Sequence, residues 1–263
     1  MQLQFYKYQG TGNDFVIMDN RSGALNGLKE EQVKWLCDRR FGIGGDGLML
    51  LNSHPDYDFE MKYYNSDGRE SSMCGNGGRC LVKFANDMRL IRTTYKFIAV
   101  DGVHEAEVET DGTVSLKMND VDHVNQVGRD YVLNTGSPHF VKLTDGVMDL
   151  DVYKKGRDIR NSHEYKEKGI NVNFVEQLGD SNKIIVRTYE RGVEDETYSC
   201  GTGVTAAALV CYHNDNGFNH VQVQTKGGNL SVEYDKIGDS FKDIWLTGPA
   251  EKVFEGTIDL KEL

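Results

Sequence analysis

The sequence predicts an α/β protein of the α+β type: two pseudo-symmetric halves, each a curved, mainly antiparallel sheet wrapped around a central helix. Three observations carry this. First, the chain echoes itself. Gly10-Thr11-Gly12-Asn13-Asp14-Phe15-Val16 returns, with one residue inserted, as Asn134-Thr135-Gly136-Ser137-Pro138-His139-Phe140-Val141. Cys74-Gly75-Asn76-Gly77 returns as Cys200-Gly201-Thr202-Gly203. The offset is 124 residues from Gly12 to Gly136 and 126 from Cys74 to Cys200. Two echoes in one order at nearly one spacing mean a duplicated unit, not a solenoid array. Second, each echoed cysteine follows a strand pattern and precedes a helix pattern. Third, alternating runs separated by Gly-containing turns follow both helices.

In the first half, Leu28 to Arg39 reads as an amphipathic helix. Tyr57 to Tyr64 puts Phe59, Met61 and Tyr63 on one face, as a half-buried strand does. Asn65-Ser66-Asp67-Gly68 is a turn, and Gly77 to Met88 is the central helix. Asp101-Gly102 and Asp111-Gly112 are hairpin turns. In the second half, Lys183 to Tyr189 is a β-branched strand ended by Arg191-Gly192. The helix from Gly203 to His213 is apolar nearly all round, so it is expected to be buried on every side. Gly227-Gly228 turns between two further strands. With three prolines in the chain and no Pro-rich linker, the boundary near Asp120 rests on the repeat alone.

The 263 residues carry 38% hydrophobic and 27% charged side chains and a net charge of -11, the balance of a soluble globular chain. Nucleic acid as partner is disfavoured by the acidic balance. Membrane association is disfavoured because no run has the length to span a bilayer. The N-terminus lacks the basic head and apolar centre of a signal peptide, so a cytoplasmic location is expected. Five cysteines, Cys37, Cys74, Cys80, Cys200 and Cys211, are an odd count without CxxC spacing, which argues against a disulfide scaffold or a structural metal.

Cys74 and Cys200 stand where a strand gives way to a helix. The first N–H groups of a helix lack intrahelical partners and the dipole is positive there. A thiol at that place is lowered from its free pKa of about 8.5, and the same N–H groups bind anions. A carboxylate held on Gly75, Asn76, Gly201 and Thr202 lowers the cost of a developing carbanion beside it. One cysteine as thiolate takes an α-proton and the other as thiol returns one to the opposite face. Cys37, Cys80 and Cys211 read as ordinary buried thiols.

The chain resembles diaminopimelate epimerases over nearly its whole length. The resemblance rests on Gly10-Thr11-Gly12-Asn13-Asp14-Phe15, Gly42-Ile43-Gly44-Gly45-Asp46-Gly47, Asn65-Ser66-Asp67-Gly68 and Met73-Cys74-Gly75-Asn76-Gly77-Gly78-Arg79-Cys80. It continues in the family's order through Gly136-Ser137-Pro138-His139, Asn171-Val172-Asn173-Phe174, Glu190-Arg191-Gly192 and Cys200-Gly201-Thr202-Gly203. It implies an active site in the cleft between the halves, residues 1–120 with 249–263 and residues 121–248. It implies interconversion of LL- and meso-diaminopimelate for lysine and peptidoglycan precursors, no cofactor (neither pyridoxal phosphate nor metal) and a homodimer. By position, Asn65, Asn171 and Arg191 hold the carboxylate at the unreactive end of the substrate and Glu190 meets its ammonium. Asn13 lies near the reacting centre, and His139 positions substrate or a cysteine. Both Asn171 and Asn173 flank the strand, and the sequence does not separate them; nor does it say which cysteine is the resting thiolate.

Two departures stand out. Ser137 replaces an Asn found in some members, and Gly47 replaces a Gln. Proline and hydroxyproline racemases share the two cysteines but typically carry His where Asn76 stands, and PhzF-like isomerases lack the pair. A redox sensor using Cys74 and Cys200, or a module that only binds diaminopimelate, are the readings from other classes.

Overall fold

The alternation at Phe59, Met61 and Tyr63 forms the strand it predicts: the three are buried while Glu60, Lys62 and Tyr64 are less so. The computed structural model describes residues 1–179 and 182–263. Packing divides the chain into two units, Met1–Leu116 with Pro249–Leu263, and Lys117–Gly248.

In the first unit, β1 (Gln2–Gly10) pairs antiparallel with β2 (Asn13–Asp19) and, on its other side, with the C-terminal strand Glu251–Asp259. β2 runs parallel to β3 (Gly47–Asn52), and α1 (Glu30–Cys37) makes the crossover. β3 pairs antiparallel with β4 (Phe59–Asn65), which carries the two-residue β5 (Glu70–Ser71). α2 (Gly75–Asp87) crosses to β6 (Thr94–Ala99), parallel to β4, and β7 (Gly102–Val108) and β8 (Val114–Lys117) complete an antiparallel meander. Successive side chains of a strand point to opposite faces. Val16, Met18, Leu48 and Leu50 therefore pack with Val33 and Leu36 of α1. The alternate residues Phe15 and Met49 lie against Gly77 of α2.

The second unit repeats this plan. β9 (Asn125–Val127), β10 (Asp130–Asn134) and β11 (Pro138–Leu143) are antiparallel neighbours. α3 (Val152–Arg160) crosses to β12 (Asn171–Gln177), parallel to β11. β13 (Lys183–Glu190) follows, with the short β14 (Asp195–Thr197) on its edge. α4 (Gly201–Val210) crosses to β15 (Gly217–Thr225), parallel to β13, and β16 (Gly228–Ile237) and β17 (Ser240–Gly248) close the meander. The C-terminal strand of the first unit is β18.

Each sheet is thus mainly antiparallel, with parallel joints only where a helix crosses over. α4 touches β10 to β13 and β15 to β17, and Val204 and Leu209 on it have no exposed surface. Burying each contributes about 1.5–3 kcal/mol, which is why this helix tolerates apolar residues all round. Both central helices begin two residues earlier than the sequence pattern suggests, at Gly75 and Gly201. The second ends at Val210, three residues before His213. No helix among the described residues is long and apolar enough to cross a membrane.

Candidate active site

Strand, turn and helix entry place the two cysteines alike. Cys74 is the N-cap of α2 with φ −95° and ψ 131°, and Cys200 is the N-cap of α4 with φ −123° and ψ 110°. Each backbone carbonyl accepts the first helical hydrogen bond, from Gly78 at 2.7 Å and from Val204 at 2.8 Å. The N–H groups of the first helical turn, Gly75 and Asn76 in one unit and Gly201 and Thr202 in the other, therefore have no intrahelical acceptor. Such a cap favours negative charge at the sulfur and on any anion bound beside it.

In the first unit a directed chain of side chains reaches Cys74. Thr11 (φ 49°) and Gly12 (φ 85°) are both left-handed, the two-residue turn that suits a β-hairpin, and this turn delivers Asn13. Arg79 can only donate, and its Nη2 lies 3.0 Å from Asn76 Oδ1. The Asn76 amide nitrogen therefore points the other way, toward Asn13 Oδ1 at 3.5 Å. Asn13 in turn donates from Nδ2 to the carboxylate of Asp46, which can only accept. Both amide orientations are fixed by these ends, so Asn13 presents its oxygen to the Cys74 thiol, which donates at 3.6 Å. Arg39 clamps Asp46 at 2.8 Å and Asp14 at 2.9 Å, and Lys7 adds an ion pair to Asp14 at 2.6 Å. Burial pushes the Asp14 carboxyl up, but the hydrogen bonds from Arg39 and Lys7 outweigh it and hold Asp14 below the usual carboxylate range.

In the second unit the chain ends on a hydroxyl. Asn173 accepts from Thr188 Oγ1 at 2.9 Å and donates to the Phe140 carbonyl at 3.1 Å, so its Nδ2 also faces His139 Nδ1, at 3.1 Å. His139 has no exposed surface. Burial, and then the charge of Arg191, push its pKa down to about 3, so the ring is neutral with its proton on Nε2. Nε2 donates to Thr202 Oγ1 at 2.9 Å, and the same hydroxyl lies 3.6 Å from Cys200 Sγ, where it can donate to a thiolate or accept from a thiol. An amide oxygen meets Cys74; a hydroxyl meets Cys200.

A second cluster gathers Asn171, Arg191 and Ser137. Asn171 accepts from the Arg191 backbone N–H at 2.8 Å and donates to Ser137 Oγ at 2.9 Å and the Pro138 carbonyl at 3.1 Å. Arg191 reaches Ser137 Oγ at 3.3 Å and the Lys168 carbonyl at 3.2 Å. Asn171 therefore belongs with Arg191, and Asn173 with His139. Glu190 is the last residue of β13, next to Arg191. Asn65 ends β4, exposed, in register with Gly47. A side chain at Gly47 has no room: its Cβ would fall 2.5 Å from both the Tyr63 ring and the Tyr64 carbonyl. Asp46, Arg79, Thr188 and Ser137 join these networks although the sequence reading gave none of them a role. Arg79 and Ser137 stand in motifs whose other residues had one; Asp46 and Thr188 carried no such signal.

Cys37, Cys80 and Cys211 are buried, and burial raises each thiol to about 12. They stay protonated at neutral pH.

Known proteins match this arrangement over nearly the whole chain. The family model described as diaminopimelate epimerase matches residues 5–124 and 131–253. A diaminopimelate epimerase of Flavobacterium psychrophilum is 47% identical over 257 residues, 97% of this chain and 100% of that one. One from Aquifex aeolicus is 39% identical over 278 residues, 97% of this chain and 98% of that one. Among solved structures, a PhzF-family phenazine biosynthesis protein of Bacillus anthracis superposes with TM-score 0.76 at 14% identity, covering 98% and 99% of the two chains. A probable proline racemase of Agrobacterium radiobacter does so with TM-score 0.66 at 16% identity, covering 98% and 93%. These distant likenesses establish the shared fold. The sequence relatives, at more than twice that identity and full length, settle the membership: the chain belongs to the diaminopimelate epimerase family.

Proposed function

We propose that the protein interconverts LL- and meso-diaminopimelate by moving the α-proton between Cys74 and Cys200. The observation that carries this is the matched pair of N-cap cysteines at the head of two crossover helices, in a chain of this isomerase family. In one direction a thiolate takes the α-proton and becomes a thiol. The resulting carbanion takes a proton on its opposite face from the second thiol, which becomes the thiolate. The reverse reaction exchanges the roles. The helix N-terminal N–H groups of Gly75, Asn76, Gly201 and Thr202 hold the reacting carboxylate and stabilise the charge that develops next to it.

Arg191, Asn171 and Asn65 bind the carboxylate at the other end; a guanidinium suits this because it donates two parallel hydrogen bonds. Glu190 takes the ammonium, Asn13 contacts substrate near the reacting carbon, and His139 acts through Thr202. In this reading residues 1–120 with 249–263 carry Cys74 and residues 121–248 carry Cys200. The reaction uses no cofactor, and the protein works in the cytoplasm as a homodimer.

Proton NMR of LL-diaminopimelate in deuterated buffer, with reductant and chelator and no pyridoxal phosphate, tests the reading. Loss of the α-proton signal with appearance of the meso isomer is expected, and its abolition in Cys74→Ala and in Cys200→Ala. Near-normal turnover by either variant would sink the two-base mechanism. Exchange of proline or hydroxyproline in place of diaminopimelate would move the substrate assignment.

A further inference from the structure

Arg79 is among the largest side chains in the protein with no exposed surface. It sits in the second turn of the helix that Cys74 caps. Its Nη2 donates to Asn76 Oδ1 and, at 3.3 Å, to Thr11 Oγ1. Its Nε and Nη1 are buried with no hydrogen-bond partner among the described residues. No carboxylate among the described residues pairs with it; the groups whose negative charge would favour its own are the thiols of Cys80 and Cys74. A buried cation without a counter-ion destabilises a fold strongly, and idle buried donors add to this.

Other charged groups on the elements around α2 are engaged away from Arg79, Glu105 of β7 with Lys96 among them. Lys7 and Arg39 face Asp14 and Asp46. Lys83 pairs with Asp87, which also accepts from Tyr8 of β1. Asp101, beside β7, accepts from His104 and from the Met73 backbone. On β18, Lys252 pairs with Glu255 and Glu251 takes the Gln9 amide. β3 carries no charge. Arg79 has no carboxylate partner among the described residues, and burial keeps Cys80 protonated.

We infer that Arg79 is the internal counter-charge for the Cys74 thiolate, a positioning residue that adds to the helix N-terminus and makes proton loss at Cys74 easier. In the substrate-free state Cys74 donates its proton to Asn13. When that proton leaves, the Asn13 oxygen opposes the negative charge while the buried guanidinium favours it, in a low-dielectric interior where charge interactions are strong. Arg79 also fixes the Asn76 amide and, through it, the Asn13 oxygen. The inference deepens the two-thiol reading and rests on it.

The test follows the pH dependence of iodoacetamide alkylation at Cys74 and Cys200 separately, by peptide mass spectrometry, in substrate-free protein. In Arg79→Met and Arg79→Gln the Cys74 midpoint rises by about one unit or more, so alkylation well below the midpoint slows roughly tenfold. Arg79→Lys, which keeps the charge, leaves it within a few tenths of a unit, and the Cys200 midpoint stays put in all three. The acid limb of kcat/KM moves up with the Cys74 midpoint. An unmoved Cys74 midpoint in a charge-free variant with native near-UV circular dichroism overturns the inference. So does an equal rise at both cysteines, which marks loosened packing. If the charge-free variants fail to fold, Arg79→Lys decides: a rise of a full unit there overturns it and an unchanged midpoint supports it. The titration needs no diaminopimelate, so a protein that shows the Arg79 effect but exchanges no α-proton refutes the proposed reaction and leaves this inference standing.

Discussion

Replacing Thr202 by Val isolates the hydroxyl that meets Cys200. The exchange nearly conserves shape, and the backbone stays anchored, because Thr135 Oγ1 still donates to the Thr202 carbonyl at 2.8 Å. The anion-binding N–H groups are untouched. Two things are lost. His139 Nε2–H, in a fully buried ring, has no acceptor, which costs about 1–3 kcal/mol. At roughly 2–4 °C per kcal/mol for a chain of this size, the melting temperature falls by several degrees. The thiolate form of Cys200, which can only accept, also loses the hydroxyl 3.6 Å away. Hydrogen bonds to charged groups contribute about 1.5–3 kcal/mol, which is about one to two pKa units at Cys200. Thr202→Ser restores the hydroxyl and is expected to return both quantities most of the way. The assay is the alkylation midpoint of Cys200 beside the thermal melt. A Val variant that melts early with an unmoved Cys200 midpoint would show the hydroxyl to be structural only, and the reading that His139 acts on Cys200 through Thr202 would be wrong.

Three further outcomes are expected. His139 titrates near 6.5 in the unfolded chain and at about 3 in the folded one. Below pH 6.5 the unfolded chain therefore binds a proton that the folded one refuses, and stability falls by up to about 1.4 kcal/mol per unit until pH nears 3. Urea midpoints from pH 4 to 8 test this: His139→Gln flattens the slope relative to wild type, and parallel curves would refute it. Gly203→Ala places a Cβ 2.3 Å from Asn173 Oδ1, so it is expected to cost about 1–3 kcal/mol through overpacking and to disturb His139 through Asn173; a variant as stable and active as wild type contradicts that geometry. Gly47→Gln, although some relatives carry that amide, meets Tyr63 and the Tyr64 carbonyl and is expected to lose stability without gaining affinity for diaminopimelate. A lower KM at an unchanged melting temperature would count against it.

The elements most legible in the sequence were those with a clean period or a repeat. β4 shows strict alternation, α4 is uniformly apolar, and the cysteine echoes fix the duplicated frame. α3 escaped because its segment VYKKGRDIR has few apolar positions and an internal glycine. The glycine is there for packing: a Cβ at Gly156 would lie 2.3 Å from Cβ of Tyr189, so its absence lets the helix lie directly on β13. α3 is the second unit's counterpart of α1, since both make the crossover between parallel strands, yet the two share no pattern. The site was half legible. Motif residues such as Asn13 and Arg191 could be named, but which of Asn171 and Asn173 meets Arg191 depends on side-chain partners that no spacing encodes. The same holds for Asp46 and Arg79, whose roles come from being acceptor-only and donor-only ends of a chain that exists only once the fold has formed.

The duplication explains why the two cysteines share a backbone setting, and a single difference inside the echo explains why their surroundings are not equivalent. Cys-Gly-Asn-Gly and Cys-Gly-Thr-Gly differ only at Asn76 and Thr202. Asn76 takes a hydrogen bond from Arg79 and passes one to Asn13, whose oxygen then accepts from the Cys74 thiol. Thr202 takes one from His139 and faces Cys200 with its hydroxyl. A contact acceptor favours the protonated sulfur and a contact donor favours the thiolate. Two-base inversion needs unlike protonation states at every moment, and two identical settings would supply no bias between them. The oxygen at Cys74 favours its thiol form, whereas the hydroxyl beside Cys200 can serve either protonation state.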